Sequence, residues 1–115
     1  MTDKVVVLVT CAHEREARRI ARAVVEARLA ACVNEFAWPV RSLYRWKGKV
    51  EQAREVLLLM KSSRKKLAAL RAMVTRLHSY EVPEFIALPI SEGSPAYLRW
   101  INESLRPAPR RRKSR

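Results

Sequence analysis

The hydrophobic and polar positions along the chain first predict a strand and then a helix. Residues 5–11 are almost entirely apolar, which is typical of a strand that is covered on both faces. Over residues 14–29 the apolar positions change to helical spacing, with Ala17, Ile20 and Val24 on one side and arginines on the others. We therefore expect an amphipathic helix that lies on a sheet.

A long β-hairpin is predicted for residues 40–61. Gly48, one of only two glycines in the chain, lies at its centre, where a tight turn needs a positive φ. Each arm of about 10 residues would extend roughly 33 Å, which exceeds the usual strand. Residues 56–60 are apolar at every position, so we expect a central strand there. The other end, residues 43–53, should overhang the domain and require a partner.

The rest of the chain completes an alternating order of elements. Pro39 should bend the second strand, and Ser62-Ser63 offers an N-cap for a second helix. Residues 84–90 predict a further strand, and Ser94-Pro95 predicts the start of a third helix. The order β-α-β-β-α-β plus a helix predicts an α+β, ferredoxin-like fold. Because two helices cover one sheet face, self-association is expected to cover the other.

Composition and charge limit the classes of function. The 115 residues predict one domain over residues 1–105, and two cysteines with no signal peptide indicate a reduced, cytoplasmic protein without membrane insertion. Residues 106–115 carry six cations and no anion, so removing that segment lowers the net charge from +13 to +7. We expect this segment to be a disordered tail that serves solubility or touches nucleic acid non-specifically.

Several functional motifs are missing from the sequence. The chain has no glycine-rich phosphate loop, no CxxC and no recognisable nucleophile context. The predicted central strands contain no aromatic residue, and RNA-binding sheets of this architecture stack bases on such residues. We therefore expect neither catalysis nor RNA binding on the sheet face.

Four separated stretches carry a resemblance to a known family. They are AACVN at 30–34, SLYRWKGKVE at 42–51, HSYEVPE at 78–84 and GSPAYLRW at 93–100. In this order the sequence resembles the CutA family, the divalent-cation tolerance proteins, over about residues 4–105. The resemblance implies a ferredoxin-like fold with an extended hairpin and a C-terminal helix, in a tight homotrimer similar to the PII signalling proteins. It also implies copper or another divalent cation as ligand, a cytoplasmic location and no settled enzymatic activity.

The resemblance also suggests metal ligands. His78 matches the histidine of the family, and imidazole is the commonest transition-metal ligand. Some family members hold copper with a first-strand cysteine and two adjacent histidines, but Val9 and Leu77 stand at two of those positions here. Cys11 follows two residues after Val9 on the same strand face and could substitute, and Glu84 is the third metal candidate. His78 as a helix cap and Cys11 as a core residue remain the alternatives.

A second group of residues matches polar or aromatic family positions near the cleft between subunits. An ion pair of Glu81 or Glu84 with Lys61 would be an interface contact, whereas a pocket at each boundary would bind an ion or small effector. A metal-tolerance trimer and a structural or PII-like signalling trimer therefore both remain open. The expected cleft residues are Cys32, Asn34, Trp46, Glu51, Lys61, Tyr80 and Glu81.

Overall fold

A computed structural model describes residues 2–107 as a mixed α+β fold with an antiparallel sheet and three α-helices. Most of the predicted tail, residues 108–115, lies outside the described residues. A short 3₁₀ turn, Arg64–Lys66, precedes the second helix. The elements are β1 (Lys4–Cys11), α1 (Glu14–Glu26), β2 (Cys32–Glu35), β3 (Val40–Trp46), β4 (Lys49–Ser63), α2 (Leu67–Leu77), β5 (Ile86–Pro89) and α3 (Pro95–Ser104).

The sheet is built around β4, the longest strand. The strand order is β2-β4-β1-β5, and β3 pairs with the part of β4 that extends beyond this sheet. Val7 pairs with Met60 and Val9 with Leu58. All four side chains are fully buried, and they share one core with residues of α1 and α2. The predicted central strand is therefore confirmed, and it fixes where the helices pack.

The predicted hairpin is confirmed with its turn in the expected place. Lys47 has φ +49° and Gly48 has φ +80°, the two positive values that a two-residue type I′ turn requires. Pairing runs from Val40 opposite Glu55 to Trp46 opposite Lys49. No other described strand pairs with β3, so this end of the hairpin extends beyond the sheet. Its side chains are mostly exposed.

The second sheet face is only partly covered within the single chain. Leu8 and Leu59 pair with each other on this face and are half-buried. Ile86 and Leu88 on β5 leave nearly half of their surface exposed. Helix α3 contributes Ile101 to a separate small apolar cluster, in which this side chain packs with Ala31 and Leu105. The second face therefore stays partly open in the single chain, and its burial by self-association stays a prediction.

Helix α1 is shorter than the apolar pattern predicts. It ends at Glu26, since Arg28 adopts the left-handed conformation with φ +58°. The backbone N–H groups of Leu29 and Ala30 then both donate to the carbonyl of Val24. This arrangement resembles the αL end of many helices, with arginine in place of the usual glycine.

The expected serine cap of α2 is wrong. Strand β4 continues to Ser63, and the Ser62 hydroxyl donates to the carbonyl of Leu29 at 2.6 Å. Neither Ser63 nor Ser94 makes a side-chain cap bond, although Pro95 stands at the first position of α3 as predicted. The last predicted strand is also shorter than expected, since β5 comprises only four residues.

Candidate functional site

Three buried side chains with metal-ligating atoms meet where β1 ends, α1 begins and α2 ends. They are Cys11, Glu16 and His78, and one potential ligand atom from each lies within 4.8 Å of the others. Their exposed fractions are 0%, 5% and 9%. We call this group the Cys–Glu–His cluster. Two of its members, Cys11 and His78, are predicted from the sequence as metal ligands.

Local hydrogen bonds explain how Glu16 reaches this position. The exposed His13 is the N-cap of α1, and its Nδ1 accepts the backbone N–H of Glu16 at 3.2 Å. His13 therefore serves as a helix cap and does not join the described cluster. The Glu16 carboxylate accepts N–H groups from Ser79 at 2.5 Å and from Ala12 at 3.4 Å. Burial by itself would raise the pKa of Glu16, but the hydrogen bonds from Ser79 and Ala12 and the adjacent His78 together outweigh it and hold this pKa below its usual value.

His78 uses both ring nitrogens within the chain. Its Nε2 lies 2.7 Å from the carbonyl oxygen of Thr10, and its Nδ1 accepts the backbone N–H of Tyr80 at 3.0 Å. This pair of bonds assigns the neutral tautomer with the proton on Nε2. His78 also ends α2, where its N–H donates to Val74, as the cap alternative predicted. Ligation of a metal by either nitrogen would exchange one of these bonds for a coordinate bond.

The donor set of the cluster fits a divalent transition metal. Burial, reinforced by the nearby charge of Glu16, raises the pKa of the Cys11 thiol to about 12, so the thiol is protonated before a metal displaces its proton. Thiolate, imidazole and carboxylate together suit zinc or copper. Glu16 is the member that the sequence prediction missed. Its signal is its position, since it lies four residues before Ile20 and eight before Val24 on the buried stripe of α1.

Glu84, the third predicted metal ligand, lies at a different place. It lines a cavity of about 670 Å³ between the hairpin and the segment after α2. Tyr80 also lines this cavity, its hydroxyl donates to the Glu55 carboxylate at 2.7 Å, and Glu55 is only 6% exposed. Partial burial and the charge of Glu55 raise the pKa of Glu84. We call this space the acidic cavity.

Six of the seven predicted cleft residues divide into two groups in the single chain. Lys61 donates to the side-chain oxygen of Asn34, and Cys32 lies 3.8 Å from the hydroxyl of Tyr97 on α3. None of these residues lines the acidic cavity, and the expected pairing of Lys61 with Glu81 or Glu84 stays a prediction. The residues of the other group, Trp46, Tyr80 and Glu81, line the acidic cavity. Glu51 pairs with Tyr44 across the hairpin.

Comparison with known proteins gives the family. The fold and the buried sulfur–nitrogen–oxygen cluster define a small α+β protein whose interior brings together side chains of the types that can ligate a metal. The family model described as "CutA1 divalent ion tolerance protein" matches residues 5–104. The chain belongs to the CutA family of divalent-cation tolerance proteins, as the four sequence motifs predicted.

Individual relatives agree with this assignment. The chain is 48% identical over 99 residues to the divalent-cation tolerance protein CutA of Thermus thermophilus, covering 86% of this chain and 95% of that one. A solved structure of the Thermus protein superimposes with a TM-score of 0.85 at 48% identity and covers 88% of this chain and 97% of that chain. The mouse protein CutA is 50% identical over 95 residues, which cover 83% of this chain and 53% of that protein.

The extent of the match differs among relatives. The chain spans about half the length of the mouse and human proteins, whereas it spans almost the whole Thermus protein. None of the helices formed by residues 2–107 combines the length and the apolar character that a membrane span needs.

Proposed function

We propose that this protein is a non-enzymatic, cytoplasmic divalent-cation tolerance protein that binds copper or another divalent metal ion. The Cys–Glu–His cluster carries the proposal. It brings one thiol, one imidazole and one carboxylate within 4.8 Å in the interior, and this donor set is the kind that soft and borderline divalent ions prefer. The name of the family, divalent ion tolerance, agrees with a role in metal tolerance.

Hydrogen bonds hold the potential ligand atoms of the cluster in place. Glu16 is held by backbone N–H groups of Ala12 and Ser79, while the Thr10 carbonyl orients the His78 ring. Such secondary hydrogen bonds commonly fix metal ligands in place. An incoming ion would displace the proton of Cys11, so its affinity should rise with pH. Binding is expected to release about one proton per ion.

Metal titration calorimetry tests this proposal. Zn(II) serves as the redox-inert probe and Cu(II) as the second ion, each added to the full chain. We expect Cys11→Ser and His78→Gln to weaken binding at least about ten-fold each, since both lose a ligand. Glu26→Gln is the control because it removes an exposed carboxylate at the other end of α1, away from the cluster. Wild-type affinity in both ligand variants would overturn the assignment of this site.

The proposed assembly is a ferredoxin-like, PII-like homotrimer. Its support is the half-exposed apolar face formed by Leu8, Leu59, Ile86 and Leu88, together with the hairpin that extends beyond the sheet. Exposed apolar patches of this kind favour association. Size-exclusion chromatography with light scattering should give about three times 13.3 kDa, and a stable monomer would contradict the trimer.

A second candidate function is favoured by the acidic cavity. At about 670 Å³ it has the size of a small-molecule pocket. A PII-like signalling or structural trimer that binds a small effector or protein partner at such clefts would need no metal. Retained effector binding in Cys11→Ser, together with absent metal binding in the wild type, would favour this second function.

A further inference from the structure

The acidic cavity has a charge opposite to that of the chain. The chain carries 24 lysines and arginines and a net charge of +13, yet the described residues that line the cavity include neither. Three carboxylates line it, those of Glu55, Glu81 and Glu84. A cleft that concentrates one sign of charge attracts ligands of the opposite sign, so the cavity favours a cation.

Glu55 makes the cavity more than a group of surface acids. It is buried, and its carboxylate accepts a hydrogen bond from Tyr80 at 2.7 Å. None of the ion pairs among residues 2–107 includes Glu55. A buried carboxylate without a cationic partner is costly, and a bound cation would offset that cost.

The aromatic walls indicate what kind of cation fits. Tyr44 and Trp46 on β3 and Tyr80 after α2 all line the cavity. In the single chain Tyr44 and Trp46 expose about two fifths of their surface, and the Lys47 ammonium lies 5.9 Å from the centroid of the Trp46 ring, so this ring already contacts a cation. Aromatic faces attract organic cations through their quadrupoles, and Trp does so most strongly. A bare metal ion prefers oxygen ligands and water, and it would gain little from these rings.

We propose that the acidic cavity binds a small organic cation, an ammonium or guanidinium compound, between its aromatic walls and the carboxylates of Glu55 and Glu84. This proposal deepens the effector-binding function proposed above as the second candidate, and it is independent of metal binding at the Cys–Glu–His cluster. A cation that enters the cavity would offset the repulsion between the Glu84 and Glu55 carboxylates. Binding would place the ligand between the hairpin and the segment after α2.

Choline and its uncharged carbon analogue 3,3-dimethyl-1-butanol provide the test, since they share shape and differ in charge. Binding to the full chain is measured by NMR shifts of the Trp46 indole, which is assigned with Trp46→Phe. We expect choline to shift this resonance with saturation and the analogue to leave it unchanged. Equal shifts with both compounds, or none with either, would overturn the proposal.

Matched variants test whether choline binding depends on the carboxylate of Glu55 in particular. Glu55→Gln keeps an oxygen that can accept the Tyr80 hydroxyl, and we expect it to weaken choline binding at least about ten-fold. Glu92→Gln, which removes an exposed carboxylate outside the cavity, should leave the affinity unchanged. Equal losses in both variants would indicate a general charge effect and overturn the proposal. So would a crystal structure of the assembled protein in which a neighbouring subunit fills the cavity.

The design separates this proposal from the second candidate function on which it rests. Wild-type protein is also titrated with acetate, a small anion, at the same ionic strength. Saturable shifts of the Trp46 indole with acetate and none with choline would retain an effector pocket and reject a cationic ligand. Zn(II) calorimetry on the same samples reports the Cys–Glu–His cluster separately.

Discussion

The hydroxyl of Tyr80 donates a hydrogen bond of 2.7 Å to the buried carboxylate of Glu55 and so ties the segment after α2 to the hairpin. Burial and this carboxylate raise the pKa of Tyr80, which keeps the phenol protonated as a donor. The bond closes one wall of the acidic cavity.

Removal of this bond should destabilise the fold. We expect Tyr80→Phe to lower the free energy of unfolding by about 1–3 kcal/mol, because Glu55 would remain buried without its donor. Tyr97→Phe is the control, since its hydroxyl contacts only the weakly polar sulfur of Cys32 at 3.8 Å in the described structure. Urea denaturation compares the two variants. An equal loss in both would show that the bond to Glu55 contributes nothing particular.

The hairpin turn offers a test of backbone strain. Gly48 has φ +80°, and a Cβ placed there would meet no atom within 4 Å. We expect Gly48→Ala to cost roughly 1 kcal/mol through backbone conformation alone. Lys47→Asn should stabilise the turn, because asparagine tolerates the positive φ that lysine adopts there. Thermal unfolding checks both changes, and opposite signs from those expected would refute the turn assignment.

Glu84 should make stability depend on pH. Partial burial and the charge of Glu55 raise the pKa of Glu84 in the folded state above its usual value near 4.5. The folded state therefore binds its proton more tightly, and stability decreases as pH rises through the folded pKa. Glu84→Gln should be slightly more stable than wild type at pH 7, by no more than about 0.5 kcal/mol for this exposed side chain.

This advantage of Glu84→Gln should disappear below the unfolded pKa, where the wild-type carboxyl is protonated in both states. Urea unfolding at neutral and acid pH measures it. Glu92→Gln removes one charge outside the cavity and separates the effect of net charge from that of the cavity. An advantage that grew on acidification would contradict the assigned direction of the shift.

The two cysteines should differ in reactivity. Cys11 is fully buried and its thiol pKa is raised to about 12 by burial, whereas Cys32 is half-buried. Since the thiolate is the reactive form, the Cys32→Ser protein should react far more slowly with DTNB than the Cys11→Ser protein. Both should react at similar rates once unfolded. Rapid reaction of the folded Cys32→Ser protein would contradict the burial of Cys11.

The apolar second face of the sheet predicts the effect of charge on assembly. Leu59→Glu places a carboxylate in the middle of this face, and we expect light scattering to report a mass near 13.3 kDa in place of that of the proposed trimer. Val25→Glu on the exposed side of α1 is the matched control. Circular dichroism checks that both variants are folded. A Leu59→Glu trimer would show that this face lies outside the interface.

The elements with strong local signals followed directly from the sequence. The hairpin turn at Gly48 needs positive φ, Pro39 interrupts pairing, and Pro95 begins α3. The apolar spacing also gave the central strand and the buried side of α1. These features depend on backbone geometry or on periodicity, both of which are properties of neighbouring residues.

The contacts between distant residues were decided by the tertiary structure. Glu16 joins Cys11 and His78 only because three elements meet, and Glu55 faces Tyr80 across 25 residues of sequence. Glu84 lines the cavity with Glu55 and not the cluster with His78, although it stands six residues after that histidine. The observed bounds of some elements also differ from the predicted ones. Ser62, for example, lies in β4 and donates to the carbonyl of Leu29, where the sequence predicted a cap of α2.

The sequence by itself therefore determined the family, the order of the elements and two of the three residues in the buried cluster. Only the tertiary structure decided which carboxylate completes that cluster and which carboxylates line the acidic cavity. The physical reason is that periodicity specifies which side of an element is buried. It does not specify which distant side chain that element meets.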